Sequence, residues 1–278
     1  MKRLYVTDMD GTLLGADSRV SAVSEAMLRE LCSRGVAVTV ATARTPATVQ
    51  PLLSNTGISI PAIVMTGAAM WDFGSQRYLD PRFIDDRDVD ALIRVFRAHG
   101  VAPFVYTLSA SDGMLAVYHA SALSPHELKF YEERSSLPLK KFEFVPQVSV
   151  DSMAGAGVVL FLGMAPLERI EALASDIRMK TQLSVSAYPD IFNHSLGYIE
   201  VFAPGVSKAA AILELKRRLG AGYVTVYGDN LNDIPMFAVA DEAVAVGNAL
   251  PEVRKAASRV IDRNTDDAVA RDIFRQEY

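Results

Sequence analysis

The first eighty residues alternate short apolar runs with amphipathic helical stretches. A chain built this way can cover both faces of its strands only as a parallel sheet with crossover helices. The apolar runs are residues 3–7, 36–41 and 62–65. Between the first two, Ser21 stands ahead of a stretch in which Val23, Met27, Leu28 and Leu31 recur at three- and four-residue spacing, and Gly35 is placed to end it. Thr45 with Pro46 opens a second helix, and Gly67 stops the third strand.

From about residue 83 the rhythm changes. A helix over 88–99 is followed by adjacent strand-like runs at 103–108 and 114–119, with Ser109-Ala110-Ser111-Asp112-Gly113 between them, which reads as a hairpin and not a crossover. A helix over 125–134, a run at 142–145, an apolar strand at 157–164, a helix over 167–180 and a strand at 183–188 complete an α+β segment. The alternating pattern resumes near residue 196, with strands at 198–202, 223–227 and 243–246. The expected fold is therefore α/β, with a doubly wound (Rossmann-like) parallel-sheet core formed by 1–82 and 194–278 and an inserted α+β domain at 83–193.

At 278 residues, half of them hydrophobic, the chain can bury a full core. It has no run of eighteen apolar residues, and the first strand begins so early that it leaves no room for a signal peptide, so a soluble, cytoplasmic protein is expected. A net charge of −5 argues against nucleic acid or an anionic membrane as partner. The one cysteine, Cys32, lies at helical spacing from apolar neighbours and reads as a small buried hydrophobe, and no disulfide can form within the chain. His99, His119, His126 and His194 show no metal-ligand spacing, and Trp71 reads as a packing residue.

The chemistry gathers at the ends of the core strands. Asp8-Met9-Asp10-Gly11-Thr12 follows the first apolar run. An aspartate there can attack phosphorus, a second one two residues on can exchange protons with the leaving group, and Gly11 permits the sharp turn both need. The same pattern also occurs in calcium loops and surface turns. Thr42 ends the second strand, where it can bond a phosphoryl oxygen or simply satisfy the strand end and cap the next helix. Arg44 either faces substrate or solvates the helix start. Lys208, just after the N-cap candidate Ser207, sits in a first helical turn, where its charge opposes the helix dipole unless an anion offsets it; a tolerated surface lysine is the alternative. Gly228-Asp229-Asn230-Leu231-Asn232-Asp233 follows another strand and suggests Mg²⁺, to which Asp8 and Asp229 can supply hard oxygen ligands, although such a turn is also a frequent surface loop. The conjunction of these segments, in this order, is what reads as a phosphoryl-transfer site.

On these motifs the chain resembles the haloacid dehalogenase superfamily of phosphatases, in its Cof-like branch with the larger, type IIB α+β cap. Val246-Gly247-Asn248-Ala249 is also similar to the Cof-like ending. The resemblance implies that Asp8 forms an aspartyl phosphate, that Asp10 protonates the leaving oxygen and then deprotonates water, and that Thr42 and Lys208 hold the transferring group. It implies Mg²⁺ bound by Asp8, Asp229 and the backbone carbonyl of Asp10, with Asn232 and Asp233 in support. The substrate implied is a small phosphorylated metabolite, a sugar phosphate first, and the chain is expected to be a monomer or homodimer. Three residues depart from the family pattern: Ala43 and Ala209 stand where glycine is usual, and Thr66-Gly67 where many relatives carry Asn-Gly. A sugar phosphomutase or phosphotransferase, and a non-catalytic sensor of phosphorylated ligands, are the competing readings.

Overall fold

The structure, a computed structural model, describes residues 2–109, 113–190 and 193–278. Within it the chain divides into two compact units, Met1–Asp80 with Ser207–Tyr278, and Pro81–Val206.

The first unit holds a five-stranded sheet in the order Arg259–Val260, Glu242–Ala245, Tyr223–Gly228, Arg3–Thr7, Ala37–Val40, and every pairing in it is parallel. Leu4, Tyr5 and Val6 have no exposed surface, as expected of a central strand covered on both faces. From Arg3–Thr7 the chain crosses over through the helix Ala22–Ser33 to Ala37–Val40 on one side. From Tyr223–Gly228 it crosses to Glu242–Ala245 on the other. Crossovers of one hand running in opposite directions put their helices on opposite faces, and the two central strands become the switch point where such sheets hold ligands. Asp8 and Asp229 are the first residues beyond those two strands.

The third expected strand, Ala62–Val64, meets the parallel sheet only through one bridge between Ala41 and Ile63. It turns back at once into Ala69–Asp72 and Arg77–Leu79, a small antiparallel sheet that the apolar alternation did not announce. Trp71 packs there, buried, its indole N–H donating to Gln50 at 2.7 Å and its ring edge-on to Tyr78. In the helix Ala22–Ser33, Leu28 and Leu31 are buried as expected, but Val23 is exposed, because this helix buries the small Ser24 in its first turn instead. Cys32 is only partly buried, which is enough to push its thiol up to about 11.

The second unit is a six-stranded sheet in the order Ser184–Pro189, Leu196–Phe202, Ala156–Pro166, Phe104–Ser109, Leu115–Ala120, Lys140–Val145. All its pairings are antiparallel except the last, where Leu115–Ala120 and Lys140–Val145 run parallel across the helix Pro125–Glu132. The expected hairpin at 103–119 forms, although residues 110–112 of its turn lie outside the described residues. The helix Asp86–Ala98 buries Val89, Leu92, Ile93 and Phe96, and Leu167–Lys180 buries Ile170, Leu173, Ala174 and Ile177, each a single apolar stripe.

One boundary differs from the sequence expectation. The strand at 196–202 belongs to this second sheet, not to the parallel core, so the inserted unit ends at Val206 and not at 193. Its resumed apolar character reflects a central place in that sheet, paired on both edges with Ala156–Pro166 and Ser184–Pro189 and packed against the helix Leu167–Lys180. Among the described residues, no helix is long and apolar enough to cross a membrane.

Candidate active site

Parallel pairing in register carries the two central strand ends to one edge. Thr7 stands opposite Tyr227 on one side and Val40 on the other, and the Asp8 N–H donates to the Tyr227 carbonyl at 2.9 Å. Beyond Asp8 the chain makes the five-residue turn Met9–Leu13, closed by the Leu14 N–H on the Met9 carbonyl at 2.8 Å. Gly11 takes φ +75° here, and a Cβ on it would fall 2.4 Å from an oxygen of Asp229, so the turn and the second acidic loop interlock only through glycine.

Lys208 begins the helix Lys208–Leu219, capped by Ser207, whose hydroxyl accepts the Ala210 N–H at 3.1 Å. The ammonium is 3% exposed and donates to Asp8 at 2.5 Å and to Asp233 at 2.8 Å. The anions that a first-turn lysine requires are therefore two carboxylates of the chain itself. Burial works against the charged lysine, but Asp8 and Asp233 outweigh it and raise its pKa above the ordinary value. Asp233, fully buried, spends its other oxygen on the backbone N–H groups of Asp229 and Asn230, at 3.0 and 3.1 Å, and so fixes the loop that carries Asp229. Asp229 in turn accepts the Thr12 hydroxyl at 2.9 Å. Asn232 is exposed.

One oxygen each from Asp8, Asp229 and Asp233 lie within 4.8 Å of one another. Burial is the main cause that pushes Asp8 up to about 7, with Lys208 pulling the other way and Asp233 adding to the rise. Asp229 is pushed up to about 6, again chiefly by burial, with the Thr12 bond opposing. Three clustered carboxylates, two of them on one ammonium, leave the site short of positive charge.

Thr42 is buried, its N–H donating to the Ile63 carbonyl at 2.9 Å and its hydroxyl accepting the Arg44 N–H at 3.1 Å. The segment Met65, Thr66, Gly67 that lies against it runs through three successive positive φ angles, 48°, 58° and 94°. A Cβ on Gly67 would fall 2.4 Å from the Ser207 carbonyl oxygen. Gly67→Ala is therefore expected to cost about 1–3 kcal/mol, through left-handed strain and displacement of the turn that presents Lys208. Urea denaturation of the variant against wild type measures it, and an unchanged midpoint would refute it.

Two residues of the site had no assigned role in the sequence. Arg44 pairs with Asp10 through two parallel bonds, Nε to Oδ2 at 2.7 Å and Nη2 to Oδ1 at 2.6 Å. Asn248 donates to the Gly11 carbonyl at 2.7 Å and accepts the Asn264 N–H at 2.9 Å, bracing the first turn against the chain beyond Glu242–Ala245. A polar residue past a parallel strand end, the signal that singled out Asp8, also describes Asn248.

A sequence profile described as haloacid dehalogenase-like hydrolase matches residues 5–273. An HMP-PP phosphatase of Serratia proteamaculans is 29% identical over 269 residues, covering 91% of this chain and 87% of the relative. A 5-amino-6-(5-phospho-D-ribitylamino)uracil phosphatase of Bacillus subtilis is 27% identical over 273 residues, covering 98% and 94%. The crystal structure of a haloacid dehalogenase-like hydrolase from Bacteroides thetaiotaomicron shares the fold over 100% of both chains, with a TM-score of 0.79 at 20% identity, and a solved subclass IIB sugar phosphatase shares it along the whole chain as well.

Proposed function

The chain belongs to the haloacid dehalogenase-like hydrolase family, and on that premise we propose that it is a cytoplasmic, Mg²⁺-dependent phosphatase of small phosphorylated metabolites, sugar phosphates first among them. The observation that carries this reading is the buried Asp8–Lys208–Asp233 chain of ion pairs, with Asp10 two residues beyond, at the switch point of the sheet. Asp8 is the nucleophile: its carboxylate attacks phosphorus and forms an aspartyl phosphate. Asp10 handles the protons of leaving group and water. Thr42 and Lys208 hold the phosphoryl oxygens, and Asp233 keeps Lys208 and the Asp229 loop in place. The hydrolase description of the family disfavours a non-catalytic sensor. The 81–206 unit, as the cap, is where substrate specificity resides.

The donor set suits magnesium, since it is made of hard carboxylate oxygens and the one ammonium beside it does not balance their charge. Asp8, Asp229 and the Asp10 backbone carbonyl are the proposed ligands, Asp233 being already committed to Lys208 and to backbone N–H groups. When bound, the cation supplies charge neutralisation between nucleophile and phosphate.

Phosphate release from a panel of phosphorylated metabolites, with Mg²⁺ and with chelator, tests the reading. Mg²⁺-dependent release is expected, while none across the panel would transfer the assignment to phosphotransfer between metabolites. A second expectation concerns pH. Asp8 at about 7 and Asp229 at about 6 lie above their unfolded values, so their protonated forms favour the folded, metal-free protein. That contribution is fully present below about pH 4 and is lost as pH rises through 6 to 7. A cation must displace the same protons, so Mg²⁺ affinity should rise between about pH 5 and 8 with proton release on binding. Calorimetric titration in buffers of different ionisation enthalpy measures both, and a pH-independent affinity would contradict the ligand assignment.

A further inference from the structure

We propose that Arg44 is a positioning residue whose guanidinium holds Asp10 as the base that takes a proton from water when the phosphoryl group leaves Asp8. The inference rests on the aspartyl-phosphate reading above. Its observation is the double bond-pair between Arg44 and Asp10, at 2.7 and 2.6 Å, the planar fork of a guanidinium matched to both oxygens of a carboxylate.

Both partners are anchored at the backbone. The Arg44 N–H donates to the Thr42 hydroxyl at 3.1 Å, and its carbonyl accepts the Met65 N–H at 3.0 Å. Asp10 lies in the Met9–Leu13 turn between buried Met9 and Gly11. What the backbone leaves free is the Asp10 side chain, which is 55% exposed while that of Arg44 is only 24% exposed. Without the fork the carboxylate has open solvent to turn into, and orientation is what a proton-transfer group has to keep. The arginine is thus the fixed partner, and the aspartate the one that is held.

The bonds also say which half-reaction needs the pair. With both oxygens accepting N–H bonds, Asp10 is held in the acceptor-only form of a carboxylate, the form that a base starts from. In the hydrolytic half the water oxygen bonds to phosphorus as the bond from phosphorus to the Asp8 oxygen breaks. One water proton passes to Asp10, Asp8 departs as a carboxylate, and the product is inorganic phosphate. In the first half with p-nitrophenyl phosphate, the leaving p-nitrophenolate departs as a stable anion and needs no proton. Arg44 therefore matters for breakdown of the aspartyl phosphate and not for its formation from this substrate.

The test uses the full chain with Mg²⁺ and p-nitrophenyl phosphate, in the steady state and in rapid-mixing experiments. For Arg44→Met, kcat is expected to fall about 10²-fold, the size of a general-base contribution. KM should fall with it, so that kcat/KM stays within about threefold of wild type, and a burst of p-nitrophenolate approaching one per active site should appear. Arg44→Lys, whose single ammonium cannot span both oxygens, should show the same split to a smaller degree, and it keeps the proposal refutable if Arg44→Met does not fold. A fall in kcat/KM equal to that in kcat, without a burst, would overturn the proposal and make Arg44 a group that binds the substrate's phosphoryl oxygens. Unchanged kinetics would overturn it too. Wild-type enzyme that releases neither p-nitrophenolate here nor phosphate across the metabolite panel overturns the phosphatase reading beneath it, and that result is seen before any variant is made.

Discussion

Asp8→Asn should fold like the wild type and release no measurable phosphate, a fall of about 10⁴-fold or more in kcat, as for other removed nucleophiles. The fold survives because asparagine has the same shape and still offers a carbonyl oxygen to Lys208, whose second partner, Asp233, is untouched. Burial has already pushed the Asp8 carboxyl up to about 7, so replacing it with a neutral amide removes a desolvation cost and leaves no cavity. Turnover is lost because an amide cannot form the acyl phosphate. Circular dichroism and thermal melting report the fold, and phosphate release under saturating Mg²⁺ reports the chemistry. Wild-type turnover in this variant would remove Asp8 from the nucleophile's place and with it the covalent mechanism.

The sequence made the site legible where backbone geometry does the positioning. Asp8 and Asp229 each follow a short apolar run, and parallel strands in register deliver such residues to one edge whatever lies between them. Lys208 was legible for a different reason: a cation in a first helical turn demands an anion, and the structure supplies Asp8 and Asp233. What stayed hidden depends on contacts between segments far apart in sequence. Arg44 and Asp10 are separated by 34 residues, and Asn248 and Gly11 by 237, and no local pattern reports such pairings. The misplaced boundary at 194–206 has a similar cause. Apolar alternation over Leu196–Phe202 says that the strand is buried, but which sheet buries it is decided by its neighbours Ala156–Pro166 and Ser184–Pro189. The strands Ala69–Asp72 and Arg77–Leu79 were missed because each is too short for its alternation to stand out, and only their pairing defines them.

Lys208→Met should be the most destabilising single change at the site, about 3–5 kcal/mol, because it strips the counter-charge from carboxylates that stay buried. Met fills much of the lysine stem's volume, so the loss reads charge and not a cavity. Asp8 and Asp233 are then left facing each other and Asp229 with no cation of the chain between them. Saturating Mg²⁺ should recover part of the lost stability, since a bound cation restores positive charge among the same oxygens. Turnover should not recover with it, because the ammonium proposed to hold the phosphoryl group is gone. The pairing itself is tested by adding Asp233→Asn. In the double variant one of the two carboxylates left unpaired by Lys208→Met no longer exists, so the two losses should overlap by about 0.5–3 kcal/mol instead of adding. Urea denaturation of the wild type, both single variants and the double variant closes that cycle. Strict additivity would mean that Lys208 and Asp233 stabilise the site independently, and the ion-pair chain on which the functional reading stands would have to be redrawn.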